Sequence, residues 1–581
     1  MDFNETLEQL KNTIEISGGA KQVDLLLKNA RIINTFAGDI HEDNVAIHNG
    51  KVVGFGDYNA KETIDLQGAY LAPGFIDGHV HIESSMVKVS EFAKAVMPCG
   101  TTTAVIDPHE IANVLGLDGI SYMLASGLKA KLGVYVMLPS CVPSSPLETS
   151  GANLSAHDLA LLMNDKRVLG LGEMMNYPGV LNQDRSVMEK LAMAQEKIID
   201  GHAPMLRGKQ LYAYVSAGIR SDHECQTVEE AREKLHAGMH IMIREGTAAK
   251  NLRGLLPLVN SENSRKFMFC TDDRELDDIA REGHINYSVK TAISLGIPPI
   301  RAIQMATINA AEYFNLKDLG VIAPGYQADL VVLKDLKNLD IKKVFKKGEL
   351  VAENGRILPD KIEDYHGHVR STINVKWIEH DNFVLKTDKK YARIINITPG
   401  QLATRMTVEE VKKDGDFVIC DMEKDVLKIA VIERHTASGR VAVGLIRGFG
   451  LKKGAIASSI SHDSHDIVVI GTNDGDMYTA AVQIVKMQGG MTVTADNQVL
   501  EALPLPIGGL MADRSADYVR EKLSRLKVSA KLIGSKLENP FMTMGFMSLP
   551  PIPEIRITDL GIIDAVKFKV TDLFTDSPAA R

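Results

Sequence analysis

Phe3, Leu7, Leu10 and Ile14 recur at helical spacing and stop at Ser17-Gly18-Gly19, which predicts a short N-terminal helix with an apolar face to pack. The pattern then shortens to strands at residues 23–27, 30–34, 44–48 and 51–55. Asn49-Gly50 between the last two is a hairpin signal, because both central positions of such a turn favour positive φ. A matching group of apolar runs lies far downstream, at 328–333, 341–345 and 350–357 around Asn354-Gly355. One small β-sandwich domain assembled from two separated pieces is the expectation, with everything between them inserted.

The insert alternates strands and helices. Strands are predicted at 74–82, 102–107, 133–138, 168–173, 198–202, 218–222, 240–244 and 267–271, with helices at 90–96, 154–164, 185–197, 227–237 and 277–295. Eight β-α repeats in a span near the usual ~250 residues predict an α/β fold, a (β/α)8 TIM-like barrel whose working residues sit at the C-terminal strand ends. Beyond it, short strands at 416–420, 427–432, 441–446, 457–459 and 467–470 with helices at 477–488 and 516–527 predict a separate α/β or α+β domain. The expected organisation is therefore 1–72 (helix and first β piece), 73–319 (barrel), 320–360 (second β piece) and 361–581 (C-terminal domain).

Composition narrows the function classes. A chain of 581 residues with 45% hydrophobic and 24% charged content is ordinary for a soluble multidomain protein. A net charge of −8 without a basic run gives no electrostatic footprint for nucleic acid or an anionic membrane. The first twenty residues are acidic and polar, and no run of about eighteen apolar residues occurs, so a cytoplasmic protein is expected. Cys99, Cys141, Cys225, Cys270 and Cys420 are scattered without a Cys-x-x-Cys, which fits reduced thiols and excludes the zinc site of cytidine-type deaminases.

The strand ends carry the chemistry. The first bears His79 and His81, two apart and so on one face of an extended backbone. The fourth ends at Glu173, the fifth at His202, the sixth runs into His223-Glu224, and the eighth into Asp272-Asp273. A single buried histidine or aspartate is usually structural. Six nitrogen and oxygen donors (His79, His81, Glu173, His202, His223 and Asp272) at the same end of five strands instead point to a metal site.

Gly74-Phe-Ile-Asp-Gly-His79-Val-His81-Ile-Glu-Ser-Ser85, the later histidines and aspartate, and Gly320-Val-Ile-Ala-Pro-Gly-Tyr-Gln-Ala-Asp329-Leu330 resemble the amidohydrolase superfamily of metal-dependent hydrolases. Asp107-Pro-His109-Glu-Ile-Ala-Asn113, Ser461-His-Asp-Ser-His465 and Gly471-Thr-Asn-Asp474 extend that resemblance to the bacterial adenine deaminase family over nearly the whole chain. The resemblance implies two ions, His79 and His81 on the first, His202 and His223 on the second, and Asp272 beside the attacking water. Glu173 stands where many superfamily members carry a carboxylated lysine, and it brings a bridging carboxylate of its own. Mn²⁺ or Fe²⁺ is the metal the family implies, with Zn²⁺ equally suited to imidazole and carboxylate donors. The implied reaction is hydrolytic deamination of adenine to hypoxanthine and ammonia in purine salvage, by a homodimer. Asp272 is expected to move the proton from water to the leaving amine, and His109 and Glu224 are the candidate donors to the ring.

Fold and ligands alone also admit another aminopurine or a cyclic amide as substrate. Asp107, Asp273 and Arg244-Glu245 read equally as structural ion pairs or site residues. Glu83, Ser84 and Ser85 either line the pocket or cap the next helix. His462 and His465 are read first as solvated histidines in a Ser/Asp turn and second as holders of another ion. Glu433-Arg434-His435 and Gly489-Gly490 lie near the site or at a subunit contact.

Overall fold

A computed structural model describes residues 3–359, 364–398 and 401–578. Its first sheet has nine strands, Val23–Asn34 through Tyr70–Pro73 from the front of the chain and Leu330–Leu333 through Arg356–Ile357 from beyond the insert. The two pieces meet where Tyr70–Pro73 runs antiparallel to Leu330–Leu333. Leu25, Leu27, Ile32, Val45, Ile47, Leu330, Val332 and Phe345 share one apolar cluster, which is why strands so distant in sequence form a single sheet.

Eight parallel strands follow in chain order: Phe75–Val80, Thr101–Ile106, Gly133–Leu138, Val168–Met174, Ile198–Gly201, Ser221–Asp222, His240–Arg244 and Phe267–Cys270. They pair as a run of five and a run of three. Two seams close the ring. Arg220 N–H donates to the Ile199 carbonyl at 3.1 Å, and Asp272 N–H donates to the His79 carbonyl at 2.9 Å. Ile76, Val105, Met137, Met242 and Met268 fill one shared cluster, the packed interior expected of such a barrel.

The pattern of the C-terminal domain is a nine-stranded, mostly antiparallel sheet. Period-two alternation explains how it attaches. On the central strand Val426–Ile432, Leu427, Ile429 and Val431 join the cluster that also holds Ile106, Ile111 and Val136 of the barrel. Ala430 and Ile432 face the other way, beneath Met477, Ala480 and Ile484 of the helix Asp474–Met487. Burying each of the leucine, isoleucine, valine and methionine side chains among these contributes about 1.5–3 kcal/mol, so both faces are committed.

Several expectations change. Phe3, Leu7, Leu10 and Ile14 are exposed, and Ile16 is the buried residue of the helix Phe3–Ser17; the stripe has helical periodicity without a face to receive it. The helix expected over 277–295 is two, Leu276–Glu282 and Ile285–Ser294, broken at Gly283 with φ +107°. The helix over 154–164 shrinks to Ala156–Ala160, and the sixth barrel strand to Ser221–Asp222. Among the described residues no helix is long and apolar enough to cross a membrane, and all five cysteines are free thiols.

Candidate active site

Each predicted donor lies at a strand end, although several sit just past the last paired residue. Phe75–Val80 carries His79 and stops before His81, so the two rings are not parallel neighbours on one pleat; they meet edge to face at 87°. Their Nε2 atoms are nevertheless 3.1 Å apart. His202 follows Ile198–Gly201, His223 follows Ser221–Asp222, and Asp272 lies beyond Phe267–Cys270 with φ 56°. Glu173, like His79, remains inside its strand, Val168–Met174.

Glu173 is the centre of the arrangement. Its Oε1 is 3.3 Å from His81 Nε2, 3.7 Å from His79 Nε2 and 3.3 Å from His109 Nδ1. Its Oε2 is 2.7 Å from His202 Nδ1 and 3.1 Å from His223 Nε2. One carboxylate thus presents an oxygen to each of two histidine pairs. Asp272 Oδ1 lies 3.0 Å from His81 Nε2 and 3.5 Å from His79 Nε2, and its Oδ2 accepts from the buried Arg244. Burial pushes the Glu173 and Asp272 carboxyls up, yet hydrogen bonds from His109, His202 and His223 to the first, and Arg244 with His79 and His81 at the second, hold both well below the carboxylate range. Both are anionic at neutral pH.

The donor set fits divalent cations. Donor atoms of His79, His81 and Glu173, and again of Glu173, His202 and His223, lie within 4.8 Å of one another. His81 Nδ1–H donates to the Asp107 carbonyl at 2.8 Å, which fixes the tautomer and leaves the Nε2 lone pair facing the cluster. His202 Nδ1 and His223 Nε2 also face each other at 3.1 Å. Ring nitrogens directed at one another beside anionic carboxylates are arranged for a shared cation.

Residues without a role in the sequence reading hold these donors. Asp77, fully buried, accepts from His79 N–H at 3.2 Å, Thr271 N–H at 3.1 Å and the Thr271 hydroxyl at 2.5 Å, tying the first strand to the eighth. Asp222 accepts from Ala203 N–H at 2.9 Å and pairs with the buried Lys234 at 3.0 Å, while Lys234 also donates to the Ala203 carbonyl at 2.7 Å. The turn after His202 is thereby locked to the strand end that carries His223. Tyr214 links them to Glu173, donating to the Met174 carbonyl at 2.8 Å and accepting His202 N–H at 3.0 Å. Asp77 and Asp222 precede their histidines by two residues and one, a buried-strand carboxylate signal the sequence offered. Lys234 and Tyr214 sit on helices where nothing in the chain singles them out.

The residues with open readings also find places. Asp107 Oδ2 accepts Glu173 N–H at 3.0 Å, and a Cβ on Gly172 would lie 2.0 Å from that oxygen, so the Leu-Gly-Glu strand must carry glycine there. Arg244 pairs with both Asp272 and Glu224. Glu83 is buried and accepts Ile111 N–H at 3.2 Å, Ser84 donates to Asp273, and Ser85 donates to the Ile82 carbonyl at 2.6 Å. None of the three caps the helix Val89–Val96, which starts without a side-chain cap.

The solvated-turn reading of His462 and His465 is overturned: they are 7% and 1% exposed. Both reach across from the C-terminal domain to Glu110 of the barrel, His462 Nδ1 at 2.7 Å from Oε1 and His465 Nε2 on Oε2. Glu433-Arg434-His435 lies behind this loop; Arg434 donates to the His465 carbonyl and, from its N–H, to Asp466 at 3.0 Å, and His435 Nε2 donates to the Ser464 carbonyl at 2.7 Å. Gly489 belongs to packing, since a Cβ there would lie 2.4 Å from the Gly509 backbone.

Residues 70–351 match the amidohydrolase family and residues 401–569 the adenine deaminase C-terminal domain family. The chain is 50% identical to adenine deaminase 2 of Carboxydothermus hydrogenoformans, across 97% of this chain and 99% of that protein. It is 47% identical to the adenine deaminase of Clostridium acetobutylicum, across 96% and 99%. Against the adenine deaminase of Kosmotoga olearia the figures are 46%, across 97% and 98%.

Proposed function

The chain belongs to the adenine deaminase family of the amidohydrolase superfamily, and from that premise we propose that it converts adenine and water to hypoxanthine and ammonia. The observation that carries the reading is Glu173, whose Oε1 faces His79 and His81 and whose Oε2 faces His202 and His223. In this reading His79 and His81 would hold one divalent ion and His202 and His223 a second, with Glu173 and Asp272 supplying the carboxylate donors. Mn²⁺ or Fe²⁺ is the proposed metal, and Zn²⁺ suits the same donors. When bound, such ions lower the pKa of water from 15.7 towards about 7 and make a nucleophile available at neutral pH.

The protein's own groups manage the protons. Water adds to C6 of the ring, the C6–N6 bond breaks, and N6 leaves as ammonia with a proton it did not have before. Asp272, anionic and held by Arg244, accepts the proton of the attacking water and passes it to the amine. His109 is the proposed donor to the ring nitrogen beside C6, and the second proton of the water, released as the C6 carbonyl forms, restores it. Burial lowers its proton affinity, but Glu110 and Glu173 outweigh it and hold its pKa well above the usual imidazole value. Glu224, engaged by Arg244, acts by keeping that guanidinium against Asp272. A homodimer working in cytoplasmic purine salvage completes the proposal.

The test is metal analysis together with ammonia release from a panel of purines. About two ions per chain and equal amounts of hypoxanthine and ammonia from adenine are expected. Metal-loaded protein that releases no ammonia from adenine overturns the substrate.

A further inference from the structure

The loop 461–466 of the C-terminal domain reaches Glu110 beside the barrel's strand ends, and none of its residues is more than 7% exposed. Buried loops are costly unless their polar groups find partners. Most here do. The Ser461 hydroxyl meets Ser548 Oγ at 2.6 Å, His462 N–H donates to the Gly545 carbonyl at 3.0 Å, and Arg434 and His435 bind the carbonyls of His465 and Ser464.

The Ser464 hydroxyl, Asp466 Oδ2 and Asp463 are exceptions, and of the two carboxylates only that of Asp463 has no hydrogen-bond partner at either oxygen among the described residues. Its Oδ2 is enclosed. Glu148 lies beside it with an unpartnered Oε2 of its own; burial and the Asp463 charge push the Glu148 carboxyl up to about 8, above the value of about 6 to which burial raises Asp463, so the negative charge of the pair resides on Asp463. His462 is clamped by Glu110 at Nδ1, stacks on Phe546 with ring centroids 4.5 Å apart, and makes no hydrogen bond at Nε2 among the described residues.

The clamp is not a further metal centre. His465 Nδ1 accepts Ser461 N–H at 3.2 Å, so Nε2 carries the proton and donates to Glu110. A ring whose Nε2 is a donor has no lone pair there for an ion. His462, facing the same carboxylate, is raised to about 9; burial opposes this, and the Glu110 charge exceeds it. The adjacent side chains of His462 and Asp463 therefore offer one free donor and one free acceptor.

We propose that this loop is the purine-selecting wall of the site, Asp463 accepting the ring N9–H and the Glu110-clamped His462 donating to N3. The inference rests on the reading of the chain as an adenine deaminase. A purine presents a neighbouring acceptor and donor on the edge remote from C6. A chain of contacts joins His462 to the metal-donor cluster: its Nδ1 is 2.7 Å from Glu110, His109 Nε2 is 3.5 Å from the same carboxylate, and His109 Nδ1 is 3.3 Å from Glu173. An N9-substituted purine, including any nucleoside, has no proton for Asp463 and would bury its charge unpaired. The second domain thus confines the enzyme to free bases.

The experiment is steady-state kinetics of metal-loaded wild type, Asp463→Ala, Asp463→Asn and His462→Gln on adenine, 9-methyladenine and 3-deazaadenine, with metal content measured for each. Wild type should prefer adenine to 9-methyladenine by at least about 10²-fold in kcat/KM. Asp463→Ala should lose adenine activity mainly through KM and narrow that preference at least about tenfold, with metal content unchanged. His462→Gln should weaken adenine while leaving 3-deazaadenine, which lacks N3, within about twofold of wild type. Should the alanine variant not fold, Asp463→Asn and the wild-type analogue series decide. A wild type that deaminates adenine and 9-methyladenine alike, or variants that keep the wild-type preference, overturns the selecting wall alone. A wild type inert on adenine overturns the functional reading and the wall with it.

Discussion

Glu173 and Glu110 are both buried carboxylates flanked by histidines on either oxygen, and they differ in what the rings do with their other nitrogen. Around Glu173, His81 gives its Nδ1–H to the Asp107 carbonyl and turns a bare Nε2 inward, where it meets another ring nitrogen at 3.1 Å. Around Glu110, His465 takes a backbone N–H on Nδ1 and turns a proton inward. The first arrangement leaves room for cations and the second closes on itself. Residue type is the same in both, so tautomer, set by one backbone contact, separates a candidate metal site from a domain clamp.

The largest effect should come from Glu173→Gln, which leaves a neutral amide where two ions are to be bridged. Metal content by elemental analysis and turnover should fall together, the latter by at least about 10³-fold; a fully active variant breaks the comparison from the metal side. His109→Asn should lower kcat by about 10²–10⁴-fold while metal content stays near wild type, because His109 touches both carboxylates and, in the proposal, ligates no ion.

Glu110→Gln comes next. Losing two charge-assisted hydrogen bonds of about 1.5–3 kcal/mol each in a buried clamp should reduce kcat/KM by roughly 10–100-fold with the ions retained. Loss of metal in this variant would make the two clusters alike. The smallest effect concerns pH. Glu110 is held well below its ordinary 4.5, burial being outweighed by His462, His465 and His109, so its contribution to stability is present above pH 4.5 and fades as pH falls through the depressed value. His462 is raised from 6.5 to about 9, so its contribution is whole below pH 6.5 and is lost as pH rises through about 9. The pair therefore stabilises most between those limits. Calorimetry should find the Tm deficit of Glu110→Gln larger at about pH 6 than at about pH 9.5, by a few degrees; equal deficits would show that the clamp carries no charge.

Much of this was legible in the chain because periodicity and strand ends are local signals. The eight barrel strands, the split sheet and the convergence of His79, His81, Glu173, His202, His223 and Asp272 on one rim follow from alternation and spacing. The misses have a common cause. His462 and His465 look like turn residues because Ser and Asp surround them, and nothing local records that Glu110, more than three hundred residues earlier, waits opposite. The stripe Phe3, Leu7, Leu10 and Ile14 announces a helix correctly but not whether any surface receives it.

By itself the sequence determined which residues are metal-donor types, that they lie at the ends of five of the eight barrel strands, and where the inserted barrel interrupts the small sheet. Only the tertiary structure decided the hydrogen-bond partner of each imidazole, and hence which nitrogen is free. It also decided that Lys234 and Tyr214 brace the donors, and that a loop of the C-terminal domain is buried against the barrel. The reason is that composition and period act through neighbours in the chain, whereas a tautomer or a buried charge is fixed by whatever the fold brings alongside it.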